Sequence, residues 1–103
     1  MQTSTAKRIE IMIEAVMERR LTRALREAGA TGYTVLPVLG GSGASGDWSR
    51  DGQISRASGM VSVVCVCDPA KLDTLLQAAF DVVEPHIGVV SVGTVDVVRT
   101  DRF

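Results

Sequence analysis

Aromatic side chains are scarce in this 103-residue chain: Tyr33, Trp48, Phe80 and Phe103 are the whole set. Its core therefore has to be assembled from Val, Ile, Leu, Met and Ala. Histidine is scarcer still, with His86 alone, so a histidine-rich metal centre is excluded. No run approaches the ~18–20 apolar residues needed to cross a bilayer. Residues 1–7, MetGlnThrSerThrAlaLys, contain no apolar signal-peptide core. The expectation is a single domain over residues 1–103, soluble and cytoplasmic, with a flexible N-terminus over 1–7. Charge of one sign is also lacking. Lys and Arg number 11 against 12 Asp and Glu, for a net charge of −1. No face is basic enough to grip a nucleic-acid backbone.

Cys65 and Cys67 are the two cysteines. On a strand they share a face about 6.5–7 Å apart, too far for an easy bond to each other. Reduced core cysteine is one reading, since free Cys packs as a small hydrophobe. A metal site would need further thiols or His86.

The elements follow from periodicity. Residues 8–15 alternate, with Ile9, Ile11 and Ile13 on one side and Arg8, Glu10, Met12 and Glu14 on the other, which predicts a half-buried strand. From Met17 to Ala28 the period becomes helical. Met17, Leu21, Ala24, Leu25 and Ala28 form the inner stripe, with Arg19, Arg20, Arg23, Arg26 and Glu27 on the wet side. Gly29 stands where a helix C-cap glycine is expected. Residues 32–39 form a second strand, in which Pro37 demands an edge, a bulge or an end. Residues 60–67 form a third strand, apolar on both faces. Asp68 and Pro69 open a second helix as N-cap and first residue. Leu72, Leu75, Leu76, Ala79, Phe80 and Val83 form its inner stripe, and Pro85 stops it. Residues 89–99 form a Val-rich last strand, with Gly93 as a bulge or a close-approach point.

The order β-α-β-β-α-β predicts an α+β, ferredoxin-like fold: a four-stranded antiparallel sheet with both helices on one face. Strands apolar on both faces leave the open face in need of cover. Self-association supplies it most simply.

Between the second and third strands lies a loop, residues 40–59, much longer than a hairpin requires. Gly40, Gly41, Gly43 and Gly46 open it, and such a backbone can turn its N–H groups around an anion. The same composition suits a plain flexible linker, and neither a P-loop nor a dinucleotide fingerprint is present. Trp48 in that loop is either a partner anchor or a ring packed on its own domain. Arg50 and Arg56 are either anion clamps or solvated charges. His86, after the second helix, caps the helix dipole or acts as a lone titrating group. Gly88 permits close main-chain approach to a ligand. Arg99 and Arg102 are bidentate donors for an anion or solubilising tail charges. No nucleophile–base pair or carboxylate dyad is present, so no catalytic residue is assigned.

The whole pattern resembles a PII-type signalling protein over residues 8–99. The resemblance rests on the arginine-rich first helix, GluAlaGlyAlaThrGlyTyrThrVal at 27–35, the loop opening GlyGlySerGly, and AspProAlaLysLeuAspThr after the third strand. Within the family the chain is most similar to the PII-like proteins associated with carboxysomes and bicarbonate uptake. The resemblance implies a non-enzymatic homotrimer with adenine-nucleotide sites between neighbouring subunits. It implies Thr34 and Val66 beside the adenine, and Gly40, Gly41, Ser42 and Gly43 at the phosphates. Gly88, Val89, Val90 and Arg99 join them from the last turn and strand. A small anion, bicarbonate, would lie at Gly41, Ser42, Gly43, Arg99 and Arg102. Residues 40–59 would be the T-loop, presenting Trp48, Arg50 and Arg56 to a transporter or carboxysome component. ProHisIleGly at 85–88 has no lysine, which implies AMP or ADP before ATP. Ala44 and Ser45 stand where nitrogen-sensing relatives have a glutamine, and the loop has no tyrosine to be modified. Two other readings are a small trimeric nucleotide hydrolase using His86 and the loop arginines, and a metal-tolerance-type trimer using Cys65, Cys67 and His86.

Overall fold

The computed structural model describes residues 1–43 and 59–98, together with the backbone of 46–49. The first strand, β1 (Ser4–Glu14), is followed by a 3₁₀ turn (Ala15–Met17) and α1 (Glu18–Glu27). Next come β2 (Thr34–Val38), β3 (Gly40–Gly43), β4 (Gly46–Ser49) and β5 (Met60–Cys67). A second 3₁₀ turn (Pro69–Lys71), α2 (Leu72–Val83) and β6 (Gly88–Val97) complete the order. The main sheet runs β2-β5-β1-β6, all neighbours antiparallel, which is the expected ferredoxin-like arrangement.

The alternation in β1 sets the two faces. Ile9, Ile11 and Ile13 are fully buried and meet Leu21 and Leu25 of α1, Leu75, Ala79 and Val83 of α2, and Val61, Val63, Cys65 and Cys67 of β5. Burying each large aliphatic side chain here contributes about 1.5–3 kcal/mol. Both cysteines therefore belong to the core, free and reduced. Burial pushes the Cys65 thiol up to about 11 and raises that of Cys67, so neither is a ready thiolate. Among the described residues no three His, Cys, Asp or Glu side chains converge as metal ligands would.

Several sequence expectations are corrected. Ser4–Lys7 continue β1 rather than forming part of a loose tail, because β6 is long enough to pair with them, Ser4 opposite Val97. Gly93 makes no bulge: the β1–β6 register runs unbroken, with Gly93 opposite Arg8, and nothing lies within 4 Å of where its Cβ would stand. Phe80 is half exposed, one residue round the helix from buried Ala79 and over the β6 edge. Each helix is entered through a 3₁₀ turn. Asp68 caps the second one, its Oδ1 accepting from Ala70 N–H at 2.8 Å. Pro37 sits on β2, an edge strand, where a residue without an N–H is tolerated.

The expected loop is also changed at its root. Gly40–Gly43 and Gly46–Ser49 pair as a separate two-stranded ribbon, with Gly41 opposite Trp48. At the other end of the connection, the Gly59 carbonyl accepts from Ala15 N–H at 2.8 Å. Arg50, Arg56, Arg99 and Arg102 lie outside the described residues, as do Ala44 and Ser45.

Candidate functional site

On the open face lies a cleft of about 280 Å³, lined by Thr31–Thr34 at the start of β2, Val64 and Val66 of β5, and Val97 at the far end of β6. Register explains it: Thr34 pairs with Val64, and Val66 is the next β5 residue on the same face. Thr34 and Val66 are thus brought together, an apolar wall beside a hydroxyl. The volume is below the about 300–1,000 Å³ of a complete small-molecule pocket. One protomer supplies room for part of a ligand.

The other expected residues that the structure describes are not among those lining this cleft. Gly88, Val89 and Val90 open β6, at the opposite edge of the sheet from β2. Three strand spacings, roughly 14 Å, separate the two edges. Gly88 is required for a reason the sequence reading missed. A Cβ there would stand 2.8 Å from the Met12 carbonyl oxygen and 2.9 Å from Val83 Cγ1, so β1 and α2 crowd it. Val89 is exposed, and Val90 packs against the core on the other face.

Gly40, Gly41, Ser42 and Gly43 are exposed on β3. Because an antiparallel ribbon uses alternate N–H groups in its own ladder, these four residues do not all turn their N–H groups inward. The expected anion nest is a strand edge instead. His86 donates its backbone N–H to the Val83 carbonyl at 2.8 Å and lines a groove between the helices with Arg20, Glu27 and Asp81.

Two groups of side chains went unassigned in the sequence. On the open face, Ser62 Oγ donates to Glu10 Oε2 at 2.8 Å, and Arg8 Nη1 lies 3.4 Å from Glu10 Oε1. The Ser62 hydrogen bond, then Arg8, hold the Glu10 carboxyl below its ordinary value against the opposing effect of desolvation. Beside the cleft, Arg26 Nη2 donates to the Tyr33 hydroxyl at 3.1 Å, its guanidinium 5.2 Å from the ring centroid. The alternation in β1 marked Glu10 as outward-facing, but no local pattern marks Ser62, 52 residues away, as its partner.

The family model for the nitrogen regulatory protein P-II matches residues 6–102. The chain belongs to the P-II family. Among solved structures, this P-II chain is similar to CPII, a nitrogen regulatory PII-like protein from Thiomonas intermedia K12, bound to ADP, AMP and bicarbonate. That match has a TM-score of 0.88 and 25% identity, over 99% of this chain and 96% of the other. CPII bound to ADP and bicarbonate gives 0.82 and 26%, over 99% and 97%. A DUF3240 family protein from Shewanella baltica OS155 shares the fold at 0.67 and 13% identity, over 86% and 88%. A search of curated proteins finds no match. No helix among the described residues is long and apolar enough to cross a membrane.

Proposed function

We propose that this P-II protein is a non-enzymatic sensor that binds AMP or ADP, together with bicarbonate, in clefts between the subunits of a homotrimer. The observation that carries the reading is the partial cleft at Thr34 and Val66, set at one sheet edge while Gly88–Val90 lie at the other. A closed ring of copies would set the β2 edge of one against the β6 edge of the next, completing the cleft. Exposed apolar groups at both edges, Leu36 and Leu39 on one and Val89 and Val92 on the other, support that contact. The likeness to CPII in its ADP, AMP and bicarbonate complex supports the ligand class.

In this reading Thr34 and Val66 flank the adenine, and free N–H groups of Gly40–Gly43 meet phosphate and bicarbonate. The backbone of Gly88–Val90 comes from the neighbouring copy. Residues 40–59 carry the signal, engaging or freeing a transporter or carboxysome component of inorganic-carbon uptake. Ligands change that segment by binding one of its arrangements better than the other. Titration calorimetry with AMP, ADP and ATP, each with and without bicarbonate, tests the proposal. Binding of AMP or ADP ahead of ATP, without product on prolonged incubation, is expected; absence of nucleotide binding, or turnover to product, overturns it.

A further inference from the structure

The wall of the cleft formed by Thr31–Thr34 belongs to the turn between α1 and β2, and the start of that turn is well fixed. Gly29 adopts φ +104°, its N–H donates to the Arg26 carbonyl at 3.0 Å, and Ala30 N–H donates to the Leu25 carbonyl at 2.9 Å. Lys71 Nζ reaches the Gly29 carbonyl at 3.5 Å. Past Ala30 the described residues show no further turn hydrogen bond in the main chain before β2 begins. What tethers this stretch is the side chain of Tyr33, half-buried against the core and hydrogen-bonded to Arg26.

We propose that Arg26 is a positioning residue for the nucleoside end of the cleft, acting through Tyr33. The inference rests on the reading of the cleft as a nucleotide site. Arg26 is exposed and is not among the residues lining the cleft, so it does not act by touching ligand. Its planar guanidinium both donates to the hydroxyl and lies over the ring, a geometry that an ammonium meets less well. Tyr33 immediately precedes Thr34, so fixing the ring fixes the backbone that presents Thr34 opposite Val64. A wall held this way offers a preformed surface to a rigid base. A wall released from Arg26 must be ordered again at each binding event, at a cost in affinity.

The test measures AMP and ADP affinity for wild type, Arg26→Ala, Arg26→Lys, Tyr33→Phe and the Arg26→Ala/Tyr33→Phe double variant. Thermal unfolding verifies that each folds, and Arg26→Lys serves if the alanine variant does not. Arg26→Ala is expected to weaken AMP and ADP by the same factor, about five- to tenfold, because the loss is at the nucleoside end. Arg26→Lys should restore part of the affinity. The double variant should bind no worse than Arg26→Ala alone, as coupled residues require. Tyr33 is the chain's single tyrosine, so a ring-labelled sample gives one NMR signal, which Arg26→Ala should shift in the ligand-free protein. Unchanged affinity in Arg26→Ala, or losses that add in full, would overturn the role of Arg26 and leave the nucleotide reading standing. Wild type that binds neither AMP nor ADP would overturn the nucleotide reading itself.

Discussion

At the scale of single residues, Gly88 carries a packing constraint that its sequence neighbourhood does not reveal. A glycine before a last strand suggests room for a ligand, and nothing local reports the Met12 carbonyl and Val83 methyl that crowd it. Gly88→Ala should therefore destabilise the fold by about 1–3 kcal/mol, the usual cost of overpacking, as measured by chemical denaturation without ligand. An unchanged denaturation midpoint would show that the crowding relaxes freely. Glu10 makes a second case. Its folded-state carboxyl is held below the ordinary value of 4.5, chiefly by Ser62. The resulting stabilisation is present above the unfolded value and is lost as pH falls through the lowered folded value. Ser62→Ala should accordingly raise the Glu10 pKa in an NMR titration and weaken the dependence of stability on pH below 4.5. An upward shift confined to Arg8→Ala would assign the effect to the ion pair instead. The cysteines were the most legible residues, because two apolar-flanked positions on one strand face have few fates other than the core.

Among the elements, legibility followed periodicity. β1, β5 and both helices stood out in the chain because their apolar spacing is complete. The β3–β4 ribbon was invisible, since glycine carries neither hydropathy nor β propensity, and its pairing depends on a turn rather than a pattern. The 3₁₀ entries to the helices were also missed, as their residues suit an α-helical first turn equally well. In α2, periodicity grouped Leu75 with Phe80, but a stripe 100° wide includes residues at its margin, and Phe80 lies at that margin over the β6 edge. The two should separate on truncation. Leu75→Ala, at a fully buried site, is expected to cost about 2–5 kcal/mol in denaturant unfolding. Phe80→Ala should cost less than half the about 3–5 kcal/mol of a buried phenylalanine, because roughly half of its surface is already wet. Equal losses would mean that Phe80 is covered in solution, as an interface between copies would cover it.

For the molecule as a whole, the sequence made the fold class readable, while the spatial grouping of the candidate residues depends on tertiary structure. Thr34 and Val66 line one cleft, while Gly88 lies at the far edge of the sheet. No local signal reveals that separation, because it depends on strand order. A monomer would leave both sets stranded, so assembly and binding should stand or fall together. Light scattering should give about 33 kDa, three times the 11.0 kDa chain, as closed cyclic symmetry implies. The shared strand edge should then couple the two ligands. A nucleotide phosphate at the β3 root would use some of the free N–H groups that an antiparallel ribbon leaves unpaired. Bicarbonate beside it would use others, so each ligand would hold the β3 edge in the arrangement that the other needs, against the repulsion between their like charges. Each ligand should therefore bind more tightly in the presence of the other. Because coupling free energy is reciprocal, the factor by which bicarbonate tightens ADP must equal the factor by which ADP tightens bicarbonate. Calorimetry in both orders measures the two factors independently. Equal factors above one would support a two-ligand sensor. Factors of one in both orders would leave nucleotide binding with no carbon signal attached to it.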